Sequence, residues 1–123
     1  MTDDKKSVLV VDDSEVMRDM IVDALKDNGF SVVGEAKDGD DALVKYKNLK
    51  PSIVTMDVVM PTKHGIDAIK SIIEFDPNAK IVVISGLHQK SLVMDALDAG
   101  ARDYIIKPFA PEDLVATIER CAY

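Results

Sequence analysis

The chain has 123 residues, 47% of them hydrophobic, with a formal net charge of −7 and a single cysteine. This length suits one domain with a core of its own and no second domain. The acidic balance argues against the basic footprint of a nucleic-acid binder, and one cysteine excludes an internal disulfide framework and fits a reducing cytosol. The first six residues are polar and every apolar run is short, so neither a secretory leader nor a membrane span is expected and the chain reads as soluble and cytoplasmic.

The first run, Val8-Leu9-Val10-Val11, ends at Asp12-Asp13. Ser14 can then cap a helix carrying Val16, Met17, Met20, Ile21, Ala24 and Leu25, with Asn28-Gly29 as its stop. A strand over 31–36 follows, and Asp38-Gly39-Asp40 turns the chain into a helix bearing Ala42, Leu43, Tyr46 and Leu49, closed by Pro51. Ile53-Val54-Thr55-Met56 stops at Asp57. After a loop over 58–64, Gly65 opens a helix with Ile66, Ile69, Ile72 and Ile73, ended by Asp76-Pro77-Asn78. Ile81-Val82-Val83-Ile84 stops at Ser85, and a helix with Leu92, Val93, Ala96 and Leu97 runs to Gly100. Tyr104-Ile105-Ile106 stops at Lys107, and a last helix from about Pro111 buries Leu114, Val115, Ile118 and Cys121.

The four Val- and Ile-rich runs that end in a charged or hydroxyl residue lack polar alternation, which is the habit of parallel strands buried on both faces. Strands alternating with helices imply right-handed crossovers and helices on both faces. The expected fold is therefore α/β, a doubly wound five-stranded parallel sheet, and ligands bind outside the carboxyl ends of such strands. A pocket there would gather three carboxylates, one hydroxyl and one ammonium.

Asp12-Asp13 alone reads equally well as a strand end favouring the following helix N-terminus. Asp57 changes the balance. At 4 Å two carboxylates repel by roughly 4 kcal/mol at an effective dielectric of 20, a cost a fold keeps only if cations offset it. Lys107 supplies one charge and a hard divalent ion the rest. Few carboxylates completed by water suit Mg²⁺ better than Zn²⁺, since no His or Cys cluster is available. His64 and His88 read as surface residues and Cys121 as core.

These residues resemble the receiver domains of two-component response regulators, and among them the single-domain CheY-type chemotaxis regulators. The matching motifs are Val-Asp-Asp-Ser at 11–14, Met-Asp-Val-Val-Met-Pro at 56–61 with Gly65 following, Ser85-Gly86, and Tyr104 with Lys107-Pro108-Phe109. The resemblance implies that Asp57 accepts a phosphoryl group from a CheA-like histidine kinase, and that Asp12, Asp13, Asp57 and the backbone carbonyl of Val59 hold Mg²⁺. It also implies that Lys107 and Ser85 contact the phosphoryl group, that Tyr104 turns inward as a switch, and that the Lys107–Pro108 peptide is cis. The implied protein is a monomeric phospho-acceptor rather than an enzyme. Its expected partners are the kinase, a motor switch or adaptor protein, and a phosphatase.

Val59 and Leu87 depart from the polar side chains many receivers carry two residues past the acceptor and the hydroxyl, which points to slow intrinsic dephosphorylation. A haloacid-dehalogenase-like phosphatase would need Asp-x-Asp after the first strand, and Asp12-Asp13-Ser14 lacks it. A flavodoxin-like carrier would need a hydroxyl-rich loop and flavin-covering aromatics, whereas aromatic content is 5%. The remaining alternative is a stand-alone receiver in a phosphorelay or developmental pathway.

Overall fold

In a computed structural model, which describes residues 6–58, 65–86 and 88–122, three of the apolar runs become strands in which every residue is buried. They are β1 (Ser7–Val11), β3 (Ile53–Asp57) and β4 (Ile81–Ser85). Two further strands, β2 (Ser31–Ala36) and β5 (Asp103–Ile106), complete a parallel sheet in the order β2-β1-β3-β4-β5. This is the doubly wound order for which flavodoxins and CheY-type receivers are standard examples. The helices are α1 (Glu15–Lys26), α2 (Gly39–Leu49), α3 (Gly65–Phe75), α4 (Lys90–Ala99) and α5 (Pro111–Ala122).

Side chains alternate across each strand, so the runs feed two cores. Leu9, Val11, Val54, Met56, Ile81 and Val83 face Ala42, Tyr46, Ile69, Ile72 and Ala96 from α2, α3 and α4. Val8, Val10, Ile53, Val82, Ile84 and Ile105 face Ile21, Leu25, Leu114 and Ile118 from α1 and α5. Each fully buried Leu or Ile contributes about 1.5–3 kcal/mol of transfer free energy. The central strands are thereby fixed, and with them whatever follows their last residues.

Local signals end the helices largely as their sequence suggests. Ser14 caps α1, its Oγ accepting from Met17 N at 3.2 Å. Asp38 caps α2, accepting from Asp41 N at 2.8 Å. Lys50 closes α2 in the left-handed region (φ 47°) just before Pro51. Gly100, at φ 123°, closes α4.

Four expectations are corrected. The run 104–106 is not buried on both faces: β5 is an edge strand, with Tyr104 exposed and Ile106 half-buried. On α1 the buried stripe is Ile21, Val22 and Leu25, and Val16 and Met20 fall on its far flank, 71% and 54% exposed. Leu49 is likewise exposed, and Cys121 is half-buried instead of core. Each of these residues sits near the margin of a helix face or sheet, where hydrophobic identity alone does not dictate burial. Among the described residues no helix is long and apolar enough to cross a membrane.

Candidate functional site

The strand order reverses about β1 and β3, and the chemistry collects at their carboxyl ends, where open α/β sheets bind ligands. Asp12 follows β1 directly and is 1% exposed. Its N–H donates to Ala36 O at 3.0 Å, continuing the sheet ladder, and its Oδ1 accepts from Ser14 N at 2.9 Å. That last bond folds the chain from strand into α1 and leaves Asp13 exposed at the bend. Asp57, the final residue of β3, lies in register with Ile84 and is 6% exposed.

Behind Asp57 the backbone of α3 comes unusually close. Gly65 N donates to Val58 O at 3.2 Å, and a Cβ at Gly65 would lie 2.2 Å from the Asp57 carbonyl oxygen. Only glycine fits there.

One carboxylate oxygen from each of Asp12, Asp13 and Asp57 lies within 4.8 Å of the other two. Lys107 reaches the same point from beyond β5. Its N–H donates to Ser85 O at 2.7 Å, while its Nζ stands 3.4 Å from Asp12 Oδ2 and 3.8 Å from Asp57 Oδ2. Three carboxylates around one ammonium leave an excess of two negative charges. An all-oxygen donor set with that excess suits a hard divalent cation.

Ser85 ends β4 beside Asp57's strand. Its Oγ is fully buried and has no hydrogen-bond partner among the described residues. An unpaired buried hydroxyl costs about 1–3 kcal/mol, so the position calls for an explanation, which an acceptor arriving at Asp57 would provide. Tyr104 is 45% exposed and lines a mainly apolar recess of about 300 Å³ together with Gly86, His88, Val93, Met94 and Leu97. The ring is thus outward in this structure. The Lys107–Pro108 peptide is cis, as anticipated.

The structure thus brings together Asp12, Asp13, Asp57 and Lys107, sets Ser85 at the same edge of the sheet, and leaves Tyr104 on the surface. Val59, Leu87 and His64 lie outside the described residues. His88 is exposed, as expected for a surface histidine, at φ 68°. Burial pushes the Cys121 thiol pKa up, with Arg102 and Lys80 opposing it.

Sequence reasoning passed over Arg18. Its Nη1 donates to the Asp12 carbonyl at 2.7 Å and its Nε to Glu35 Oε1 at 3.2 Å. The available signal was a lone cation one helical turn after the Ser14 cap, in a stretch otherwise acidic.

The response regulator receiver domain family model matches residues 8–119. The chain is 50% identical over 115 residues to the chemotaxis protein CheY of Thermotoga maritima, covering 94% of this chain and 96% of that protein. It is 46% identical over 113 residues to the chemotaxis protein CheY of Bacillus subtilis, covering 92% and 94%. Among solved structures it matches a CheX–CheY–BeF₃–Mg²⁺ complex from Borrelia burgdorferi with a TM-score of 0.88 at 36% identity, covering 93% of this chain and 87% of that one.

Proposed function

The chain belongs to the response regulator receiver domain family, and on that premise we propose that Asp57 is its phospho-acceptor, Asp12, Asp13 and Asp57 its Mg²⁺ ligands, and Lys107 and Ser85 its phosphoryl contacts. It is a CheY-like phosphorylatable receiver regulating chemotaxis, a phospho-acceptor signalling protein and not a classical enzyme. The observation that carries the residue roles is the convergence of three carboxylates and Lys107 Nζ at one point of the sheet edge.

In the transfer, a carboxylate oxygen of Asp57 forms a bond to phosphorus as the nitrogen–phosphorus bond of a kinase phosphohistidine breaks. Phosphoryl transfer spreads negative charge over the equatorial oxygens, so the protein's task is positioning and charge compensation. Mg²⁺ held by the three carboxylates would supply positive charge to those oxygens. Lys107, already 3.8 Å from Asp57 Oδ2, supplies a second cation. The buried hydroxyl of Ser85, with no partner among the described residues, is free to donate to a new phosphoryl oxygen.

Ser85 is joined through its carbonyl to Lys107 N, and its strand pairs with the strand of Tyr104. A shift at Ser85 therefore acts directly on the recess that Tyr104 lines. Signalling is a shift between outward and inward Tyr104 populations, read by a partner on the face of α4 and β5.

The same reading takes 1–123 as a single receiver domain, working in the cytoplasm as a monomer. Its partners are a CheA-like histidine kinase, a motor switch or adaptor protein, and a dephosphorylating protein that docks as CheX does on the Borrelia relative. Acetyl phosphate with Mg²⁺ should add one phosphoryl group to the wild type and none to Asp57→Asn, as read by intact-protein mass. Labelling of Asp57→Asn at the wild-type rate would overturn the assignment.

A further inference from the structure

We infer that Arg18 is a positioning residue for the cation site, an inference that rests on the reading of Asp12 as a metal ligand. Asp12 is held at both ends. Its carboxylate accepts from Ser14 N and stands by Lys107, while its backbone carbonyl accepts from Arg18 Nη1 at 2.7 Å.

The guanidinium is a rigid fork that can serve two acceptors at once. Its other arm, Nε, is anchored by Glu35 Oε1 at 3.2 Å, on strand β2. Glu35 is fixed in turn, because Lys45 of α2 donates to its carbonyl and pairs with Asp41. Arg18 thus ties α1, the end of β1 and the edge strand β2 into one unit at the residue whose carboxylate must point into the site. Its side chain is 15% exposed, so the guanidinium is largely shielded from water, whereas the Glu35 carboxylate that anchors it is 43% exposed.

Position and charge predict opposite signs. Arg18 is a cation beside an acidic cluster, so on electrostatics alone Arg18→Met would tighten cation binding and Arg18→Lys would leave it unchanged. If Arg18 holds Asp12 in place, both variants weaken it, because partners that orient metal ligands are typically worth about 10–100-fold in affinity. The lysine ammonium is a point donor and cannot reproduce the fork.

The test is calorimetric titration of the full chain with Mg²⁺ for wild type, Arg18→Met, Arg18→Lys and Asp13→Asn, with folding checked by urea midpoint. We expect the Mg²⁺ Kd to rise about tenfold or more in Arg18→Met and less in Arg18→Lys. Acetyl phosphate labelling should recover its wild-type maximal rate at saturating Mg²⁺, a KM effect without loss of kcat. A Kd unchanged or lowered in Arg18→Met overturns the inference. If that variant does not fold, a wild-type Kd in Arg18→Lys overturns it equally. Wild type and Asp13→Asn binding Mg²⁺ alike would remove the reading of the cation site itself, and this inference with it.

Discussion

The two ends of the sheet treat polar groups in opposite ways. At the amino end they are closed in pairs: Tyr46 Oη donates to Asp76 Oδ2 at 2.7 Å, Ser7 and Ser52 hydroxyls meet at 3.2 Å, Lys80 Nζ donates to the Ala122 carbonyl at 3.0 Å, and Arg120 holds Asp103 at 3.1 Å. At the carboxyl end three carboxylates cluster, two of them beside Lys107, and a fully buried serine hydroxyl has no partner among the described residues. One end contributes stability in the resting state. The other carries clustered negative charge and an unpartnered hydroxyl among the described residues, a shortage that, on the proposed function, a cation and a phosphoryl oxygen would relieve.

The largest expected effect tests that shortage directly. A cation that binds the folded state stabilises it by RT ln(1 + [Mg²⁺]/Kd), about 2.7 kcal/mol at a hundredfold excess over Kd. Asp13→Asn should remove part of the repulsion, raise the urea midpoint of the metal-free protein and blunt the Mg²⁺ response. A wild-type midpoint that does not move with Mg²⁺ would erase the contrast between the two ends.

The amino end offers the matching test. Tyr46→Phe deletes a hydrogen bond to a carboxylate in a buried setting and should cost about 2 kcal/mol, since bonds to charged groups contribute about 1.5–3. The pH dependence sharpens it. Burial first, then the hydrogen bond and charge of Asp76, raise the Tyr46 pKa above its ordinary value of 10.0. The unfolded chain then loses its phenolic proton in a range where the folded protein keeps it, so the folded state binds more protons and stability falls as pH rises. The Tyr46 contribution is complete below pH 10 and is lost progressively as pH rises from there toward the raised folded-state value. Urea midpoints of wild type and Tyr46→Phe at about pH 8 and about pH 11 should therefore converge at the higher pH; a constant difference would break the assignment.

Much of this contrast was legible in the residue order, and the exceptions have physical reasons. Asp12, Asp57, Ser85 and Lys107 could be placed together because each ends an apolar run, and strands without polar alternation belong to a parallel sheet whose carboxyl ends share one edge. The caps at Ser14 and Asp38 were readable because capping is local. What escaped depends on neighbours distant in sequence. Val16 and Met20 fit a helical spacing, but only the sheet decides which flank of α1 is covered. Tyr104 looks like a strand interior until β5 proves to be the edge. Arg18 joins the carbonyl just past the end of β1 to a carboxylate on β2, a contact that no spacing rule encodes.

The smallest effect separates two hydroxyls that look alike. Thr55 Oγ1, in β3 between Val10 and Val82, is as buried as Ser85 Oγ and equally has no hydrogen-bond partner among the described residues. Thr55→Val removes the hydroxyl at nearly constant volume and should stabilise the resting protein by about 1 kcal/mol, the lower end of the cost of an unsatisfied buried group. Ser85→Ala should gain less, because the methyl group leaves unfilled space. If Ser85 is kept polar for the phosphoryl group while Thr55 is an interior hydroxyl with no such task, activation should tell them apart. Beryllofluoride with Mg²⁺ should shift the NMR signals of Tyr104 and α4 in Thr55→Val as in wild type, and leave them largely unshifted in Ser85→Ala. Full shifts in Ser85→Ala would mean that its buried hydroxyl is not the link between Asp57 and Tyr104, and that the unpartnered groups at the carboxyl end are not a single functional set.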